Sequence, residues 1–245
     1  MLNETVVRSK LDDFGKGRGL RGDHDLNPDI ALPARLRPAA VLIGLQPAAD
    51  GPVIVMTRRA AHLTAHAGQI SFPGGRCDVT DRDHVATALR ESEEEIGLEP
   101  SAVSPLGRLD TYVTRTGFEI VPIVGWLSSA FVPRITSEEV AEIFTIPIDL
   151  ILDDNNPQRH SRQFEGRDRY YYAYPHREWY IWGATAGMLV NLRDALTAGA
   201  QASDPGTLHA GSVGPGSVGP GSVGPDDSGG ARPQRCRDSS QGDGR

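Results

Sequence analysis

The chain has 245 residues, a length that suits one domain with extensions better than two full domains, and at 38% hydrophobic it can build a core. Its 32 acidic against 25 basic side chains give a formal net charge of −7, which argues against a dedicated nucleic-acid or membrane-surface binder, since either needs a basic excess. Two cysteines, Cys77 and Cys236, are too few for a disulfide framework and fit a reducing cytoplasm. No stretch approaches the ~20 apolar residues of a membrane-spanning helix, and residues 1–14 lack the apolar core of an export signal.

Residues 1–35 read as an arm or a short helix from Val6 towards Phe14, followed by a linker broken by Gly15, Gly17, Gly19 and Gly22. The apolar runs Ala39–Leu45 and Val53–Met56 flank the turn-rich stretch Pro47–Pro52 and predict two buried strands joined as a hairpin. Next comes Thr57-Arg58-Arg59, then Leu63, His66-Ala67-Gly68-Gln69 and Phe72-Pro73-Gly74-Gly75. An arginine at a strand end can offer a forked donor set to a phosphate, which makes Arg59 a candidate; a solvated arginine is the ordinary alternative. Gly74 and Gly75, without Cβ atoms, allow unusual dihedrals and close backbone approach to a diphosphate, although a plain tight turn explains either one alone.

Val85, Leu89 and Ile96 recur at helical spacing, with Asp81 or Asp83 able to cap the start and Gly97 followed by Pro100 as a stop. The last turns of this helix carry Glu91, Glu93, Glu94 and Glu95, at the end where the helix dipole disfavours carboxylates. Glu91 and Glu95 are i,i+4 neighbours, a like-charge pair that costs an isolated helix roughly 0.2–0.5 kcal/mol. A bound cation reverses that sign. A solvated acidic face is the alternative, and the placement behind a Gly-Gly loop favours the metal site.

Further on, Leu106–Val113 and Phe118–Trp126 predict a hairpin across residues 114–117. Thr136 and Glu139 have capping-box spacing, which predicts a short helix towards Phe144 with Glu138 and Glu139 as helix-start acids. Residues 169–174 and 178–181 read as a second hairpin, whose tyrosines could stack an adenine or pack a sheet face. Met188, Leu189, Leu192 and Leu196 share one face of a last helix opening near Trp182. Residues 199–245 are Gly-, Ser- and Pro-rich, with three consecutive copies of Gly-Ser-Val-Gly-Pro from Gly211 to Pro225, and are expected to be a disordered tail.

The stretch from Gly74 to Leu98 resembles the Nudix box, the signature of hydrolases that cut diphosphates linked to another moiety. Arg90-Glu91, Glu94-Glu95 and Gly97-Leu98 match its second half position by position. The first half departs: one extra residue separates Gly75 from Arg90, Asp81 is the acid nearest the expected first glutamate, and Ser92 replaces an apolar residue. That longer spacing, together with Thr57, Arg59, Leu63, Gly68 and Phe72 to Gly75, is similar to the branch of the family that hydrolyses coenzyme A, although Thr64 stands where many members have arginine.

The resemblance implies a domain over residues 36–198 with the Nudix fold, an α/β/α sandwich around a mixed sheet, and a metal-dependent hydrolase using Mg²⁺ or Mn²⁺. It implies Glu91 and Glu95 as metal ligands and Glu94 as a further ligand or the general base. Arg90 would orient these glutamates, or simply pair with Glu94 at i,i+4. Glu139 stays in view as a base, because several Nudix enzymes place a catalytic glutamate outside the box. Arg59, Gly74 and Gly75 would bind the substrate, a small nucleotide such as coenzyme A or acyl-CoA, cleaved to 3′,5′-ADP and 4′-phosphopantetheine or its acyl form. The resemblance leaves room for a homodimer. Two alternatives stand beside it: a Nudix hydrolase of ADP-ribose, a dinucleotide or a nucleoside triphosphate, and a silent Nudix domain that only binds a ligand. The intact Glu91, Glu94 and Glu95 argue against the silent domain.

Overall fold

In the computed structural model, which describes residues 2–14, 19–176 and 178–198, the apolar runs of the sequence become the middle of one large sheet. The expected tail from residue 199 onwards lies outside the described residues. In chain order the elements are α1 (Glu4–Phe14), β1 (Arg21–Gly22), β2 (Arg37–Gln46), β3 (Val53–Arg59), β4 (Ile70–Ser71), β5 (Gly74–Arg76) and α2 (His84–Ile96). They continue with β6 (Val103–Arg108), β7 (Tyr112–Val113), β8 (Phe118–Leu127), β9 (Val140–Pro147), α3 (Ile148–Leu152), β10 (Gln158–Phe164), β11 (Arg167–Pro175), β12 (Tyr180–Trp182) and α4 (Gly183–Thr197).

Nine strands form a mixed sheet in the order β1-β7-β8-β2-β3-β4, with β5 joining at β2, β6 at β8 and β9 at β3. The β2–β8 and β1–β7 pairs are parallel, and β2–β3 is the expected antiparallel hairpin, with Leu45 opposite Ile54. Successive β2 side chains point to opposite faces. Ala40 and Leu42 pack with Ile96 and Leu98 on the α2 side, whereas Ile43 and Leu45 pack with Leu11 of α1 and Leu189 and Leu192 of α4. Burial of both faces explains why β2 reads as a continuous apolar run rather than an alternating one. Helices on both sides of a mixed sheet make the α/β/α sandwich that the resemblance implies.

The N-terminal residues belong to this packing: Val7 and Leu11 of α1 are buried, and β1 adds a short strand beside β7. Tyr174 is fully buried on β11 and Tyr172 packs against the same core, while Tyr170 on that strand stays exposed beneath the Arg159 guanidinium.

One expected helix is absent. Residues 140–147 form β9, antiparallel to β3 with Phe144 opposite Met56 and Ile146 opposite Ile54. The run Val-x-x-Ile-Phe-Thr-Ile is rich in residues that suit a pleated, half-buried surface, and pairing with β3 decides the outcome. Thr136 has another use: its hydroxyl donates to the carbonyl of Glu94 at 2.8 Å and lies 3.3 Å from that of Glu93, satisfying acceptors at the open end of α2.

Candidate active site

Helix α2 carries most of the site, and its ends are fixed by local chemistry. Of the two candidate caps, Asp83 takes the role, its Oδ1 accepting from the Ala86 amide at 2.8 Å. Gly97 ends the helix in the left-handed region at φ 66°, its N–H donating to the Glu93 carbonyl while the Leu98 amide reaches the Ser92 carbonyl. Ser92, at the box position where an apolar residue is usual, is fully buried, and its hydroxyl donates to the Ala88 carbonyl at 2.7 Å. The substitution therefore leaves no orphaned polar atom under the helix.

The other candidate cap, Asp81, instead holds Arg90. Arg90 Nε donates to Asp81 Oδ1 and Nη2 to Asp81 Oδ2, both at 3.0 Å, a forked pair in which the Asp81 side chain is only 5% exposed. Burial pushes the Asp81 carboxyl up, but hydrogen bonds from Arg90, the Asp78 amide and the Thr87 hydroxyl outweigh it, and the net shift is downward. The rest of the guanidinium is spent on the loop and the neighbouring acids: Nη2 donates to the Arg76 carbonyl at 3.0 Å, and Nη1 to Glu91 Oε1 at 2.9 Å and Glu94 Oε2 at 3.2 Å. Arg90 thus makes both bonds open to it, orienting Glu91 and pairing with Glu94, and Asp81 anchors it. Nothing in the sequence distinguished Asp81 from Asp83 except that Asp81 stands nearest the expected first glutamate of the box.

Glu91 and Glu95 point from α2 at the loop strand β5. Glu95 is 7% exposed, and its Oε2 lies 3.3 Å from the Gly74 amide, which donates to it. A Cβ on Gly75 would lie 2.5 Å from the Glu91 carboxylate, and one on Gly74, at φ 153°, would lie 2.5 Å from the Ala40 carbonyl. Gly74 is thus required by the approach of β2, and a side chain at Gly75 would displace the Glu91 carboxylate, before any ligand is considered. Burial pushes the Glu95 carboxyl up to about 7, against the Gly74 amide and Arg59, with Glu91 and Glu139 adding to the rise. Burial also raises the Glu91 carboxyl, in spite of Arg90. Glu94 is 58% exposed beside them.

Arg59 reaches this cluster from the end of β3. Its Nη2 donates to Glu139 Oε2 at 3.0 Å, and its charge opposes the rise at Glu95. Neighbouring Arg58 points to the other face of the sheet, where it bonds Glu142 Oε2 at 2.7 Å and lies 5.9 Å from the Phe144 ring. Glu139, expected as a helix-start acid, is therefore part of the site, brought there by β9.

Two stacked carboxylates with raised pKa values and a hard-oxygen donor set suit a divalent cation such as Mg²⁺ or Mn²⁺. Mg²⁺ sites commonly take one or two carboxylates and complete the octahedron with water and substrate phosphate. Among the described residues no group of three or more His, Cys, Asp or Glu side chains forms a ready-made metal cluster. A cation here would be held jointly by Glu91, Glu95 and the ligand and not by an all-protein cage.

Comparison with known proteins identifies the family. Nudix hydrolase 15, mitochondrial, of Arabidopsis thaliana is 35% identical over 171 residues, which are 67% of this chain and 59% of that protein, so the match spans less than two thirds of that relative. The uncharacterized Nudix hydrolase NudL of Shigella flexneri is 36% identical over 175 residues, 68% of this chain and 87% of its own. NudL of Escherichia coli K12 is 36% identical over 163 residues, 64% and 81% of the two chains. The NUDIX domain model matches residues 35–175, more than half of the chain and the whole of β3, β5 and α2, so the chain belongs to the Nudix family of hydrolases, enzymes that act on phosphorus anhydrides.

Proposed function

We propose that this Nudix hydrolase cuts the diphosphate of coenzyme A or an acyl derivative, releasing 3′,5′-ADP and 4′-phosphopantetheine or its acyl form. The observation that carries the proposal is the position of Arg59 beside Glu95. The other residues of its motif serve to hold it: Thr57 is buried with its hydroxyl 3.2 Å from the Ser71 carbonyl, and Phe72 is in the core. The Gly68 amide donates to the Arg59 carbonyl, and the Arg59 amide donates to Gln69. These bonds hold the Arg59 backbone at the end of β3, and a ligand carrying a phosphate beyond its diphosphate has a use for a guanidinium there.

In the proposed reaction a water oxygen bonds to one phosphorus, the bridging P–O bond breaks, and the departing phosphate keeps the bridging oxygen. A divalent cation, when bound, supplies charge neutralisation and an acidified water. Glu91 and Glu95 would hold it, and Arg90 keeps Glu91 aimed through the 2.9 Å bond. Glu94, exposed and, among the described residues, bonded through its carboxylate to Arg90 alone, and Glu139, the partner of Arg59, are the two groups we propose to accept the proton. No helix of the described residues is long and apolar enough to cross a membrane, and the cytoplasmic placement proposed with this activity rests on composition.

The test is a product analysis with Mg²⁺ or Mn²⁺ against coenzyme A, acetyl-CoA, ADP-ribose, NADH and dGTP. Faster release of 3′,5′-ADP from the coenzyme A compounds is expected. A preference for ADP-ribose or dGTP would remove the coenzyme A assignment and leave a hydrolase of another diphosphate, whereas no turnover of any of them would favour a ligand-binding domain.

A further inference from the structure

The guanidinium that the Thr57–Gly75 motif delivers to the site is already engaged. Arg59 Nη2 is bonded to Glu139 at 3.0 Å, while its Nε is buried without a hydrogen-bond partner, so most of its five N–H donors are uncommitted. The two side chains differ in exposure. That of Arg59 is 26% exposed, with its Nε buried. The Glu139 side chain is 55% exposed, and its carboxylate has no other hydrogen-bond partner among the described residues. Glu139 also lies close enough to Glu95 for the two charges to oppose each other. An ion pair this exposed is weak, and Glu139 is the half that can leave.

We propose that Glu139 is a displaceable mask on Arg59: a phosphate group of the ligand takes the guanidinium, Glu139 turns off it, and the mask lowers the affinity of every ligand that needs Arg59 by the same factor. The inference rests on the reading of Arg59 as a substrate-contacting residue. An unmasked guanidinium accepts any anion, a carboxylate included. A phosphate, with more charge and three acceptor oxygens, exchanges favourably with the Glu139 carboxylate.

The experiment uses the full chain freed of divalent metal with EDTA, so that hydrolysis does not enter, and calorimetric titration with inorganic pyrophosphate and with malonate, a dicarboxylate of similar span. Glu139→Gln should bind pyrophosphate and malonate about fivefold tighter each, the size of a lost exposed ion pair. In an Arg59→Ala background the same substitution should change neither affinity, and thermal melts should show each variant folded. Unchanged or weaker pyrophosphate binding in Glu139→Gln overturns the mask, as does an equal gain in the Arg59→Ala background, which would mean general repulsion in place of competition for Arg59. Pyrophosphate binding that ignores Arg59→Ala, or is absent from every variant, overturns it as well. Release of 3′,5′-ADP from coenzyme A by the unmodified protein tells these failures apart from failure of the proposed function.

Discussion

Glu95→Gln gives the sharpest test of the site, because burial has given Glu95 a cost that only a cation removes. Its carboxyl is raised from an ordinary 4.5 to about 7. Between those values the folded protein holds a proton that the unfolded chain has lost, so stability falls as pH rises through the window. The cost is absent below the ordinary value and fully present above about 7, where it amounts to about 3 kcal/mol. Glutamine keeps the shape, and its Oε1 can still accept from the Gly74 amide, but it carries no charge. Urea unfolding without divalent metal should therefore show the variant little different from the parent near pH 4.5 and more stable by up to ~3 kcal/mol at pH 8. Adding Mg²⁺ or Mn²⁺ at pH 8 should reverse the order by stabilising the parent far more than the variant, since a ligand stabilises only the state that binds it. A difference between parent and variant that does not change with pH would refute the burial argument. An equal response to metal would remove Glu95 from the proposed ligand set.

Three further substitutions probe the frame around it. Gly75→Ala places a Cβ about where the Glu91 carboxylate now lies, so the protein should fold while divalent-metal affinity, followed by titration calorimetry, falls by about 10–100-fold, the scale seen when groups that orient ligands are disturbed. Asp81→Asn takes the charged fork from Arg90 and should cost roughly 1.5–3 kcal/mol in urea unfolding at pH 7; because the Asp81 carboxyl is lowered from 3.8, that difference should persist above this value and shrink as pH falls through the lower folded one. Thr136→Val removes the hydroxyl from the Glu94 carbonyl and should lower stability by about 1 kcal/mol, seen as a lower urea midpoint with an unchanged slope.

The parts of the fold that were legible are those whose local pattern has one physical meaning. β2 and β3 are apolar runs around a turn-forming stretch, and α2 has an apolar period with a stop at Gly97; neither depends on what lies across the chain. β10 was not read at all, because Gln158–Phe164 is polar along most of its length and mostly exposed, and only pairing with β11 makes it a strand. β9 was misread for a related reason. Thr136 and Glu139 fit a capping box locally, but Thr136 closes α2 and Glu139 meets Arg59, and both partners lie at least 40 residues away in sequence. A hydroxyl and a carboxylate at a favourable spacing carry no information about which backbone they will serve.

The same distinction runs through the site. The crowding of Glu91 and Glu95 was legible because an i,i+4 pair meets on any helix, whatever it packs against. The choice of Arg59 over Arg58 came from the motif of Thr57 to Gly75 and not from the strand itself, because adjacent strand residues take opposite faces and an apolar run does not say which face holds α2. The structure decides it through packing: Met56 belongs to the α4 side of the core and Val55 to the α2 side, so strand alternation carries Arg58 away to Phe144 and leaves Arg59 at Glu95. A shift of β3 by one residue against its neighbours would exchange the two arginines and swap the side chains packed on its two buried faces. The register that fills the core with Ile54 and Met56 is thus the same constraint that places a cation beside the carboxylates, and the site depends on the packing of the opposite layer.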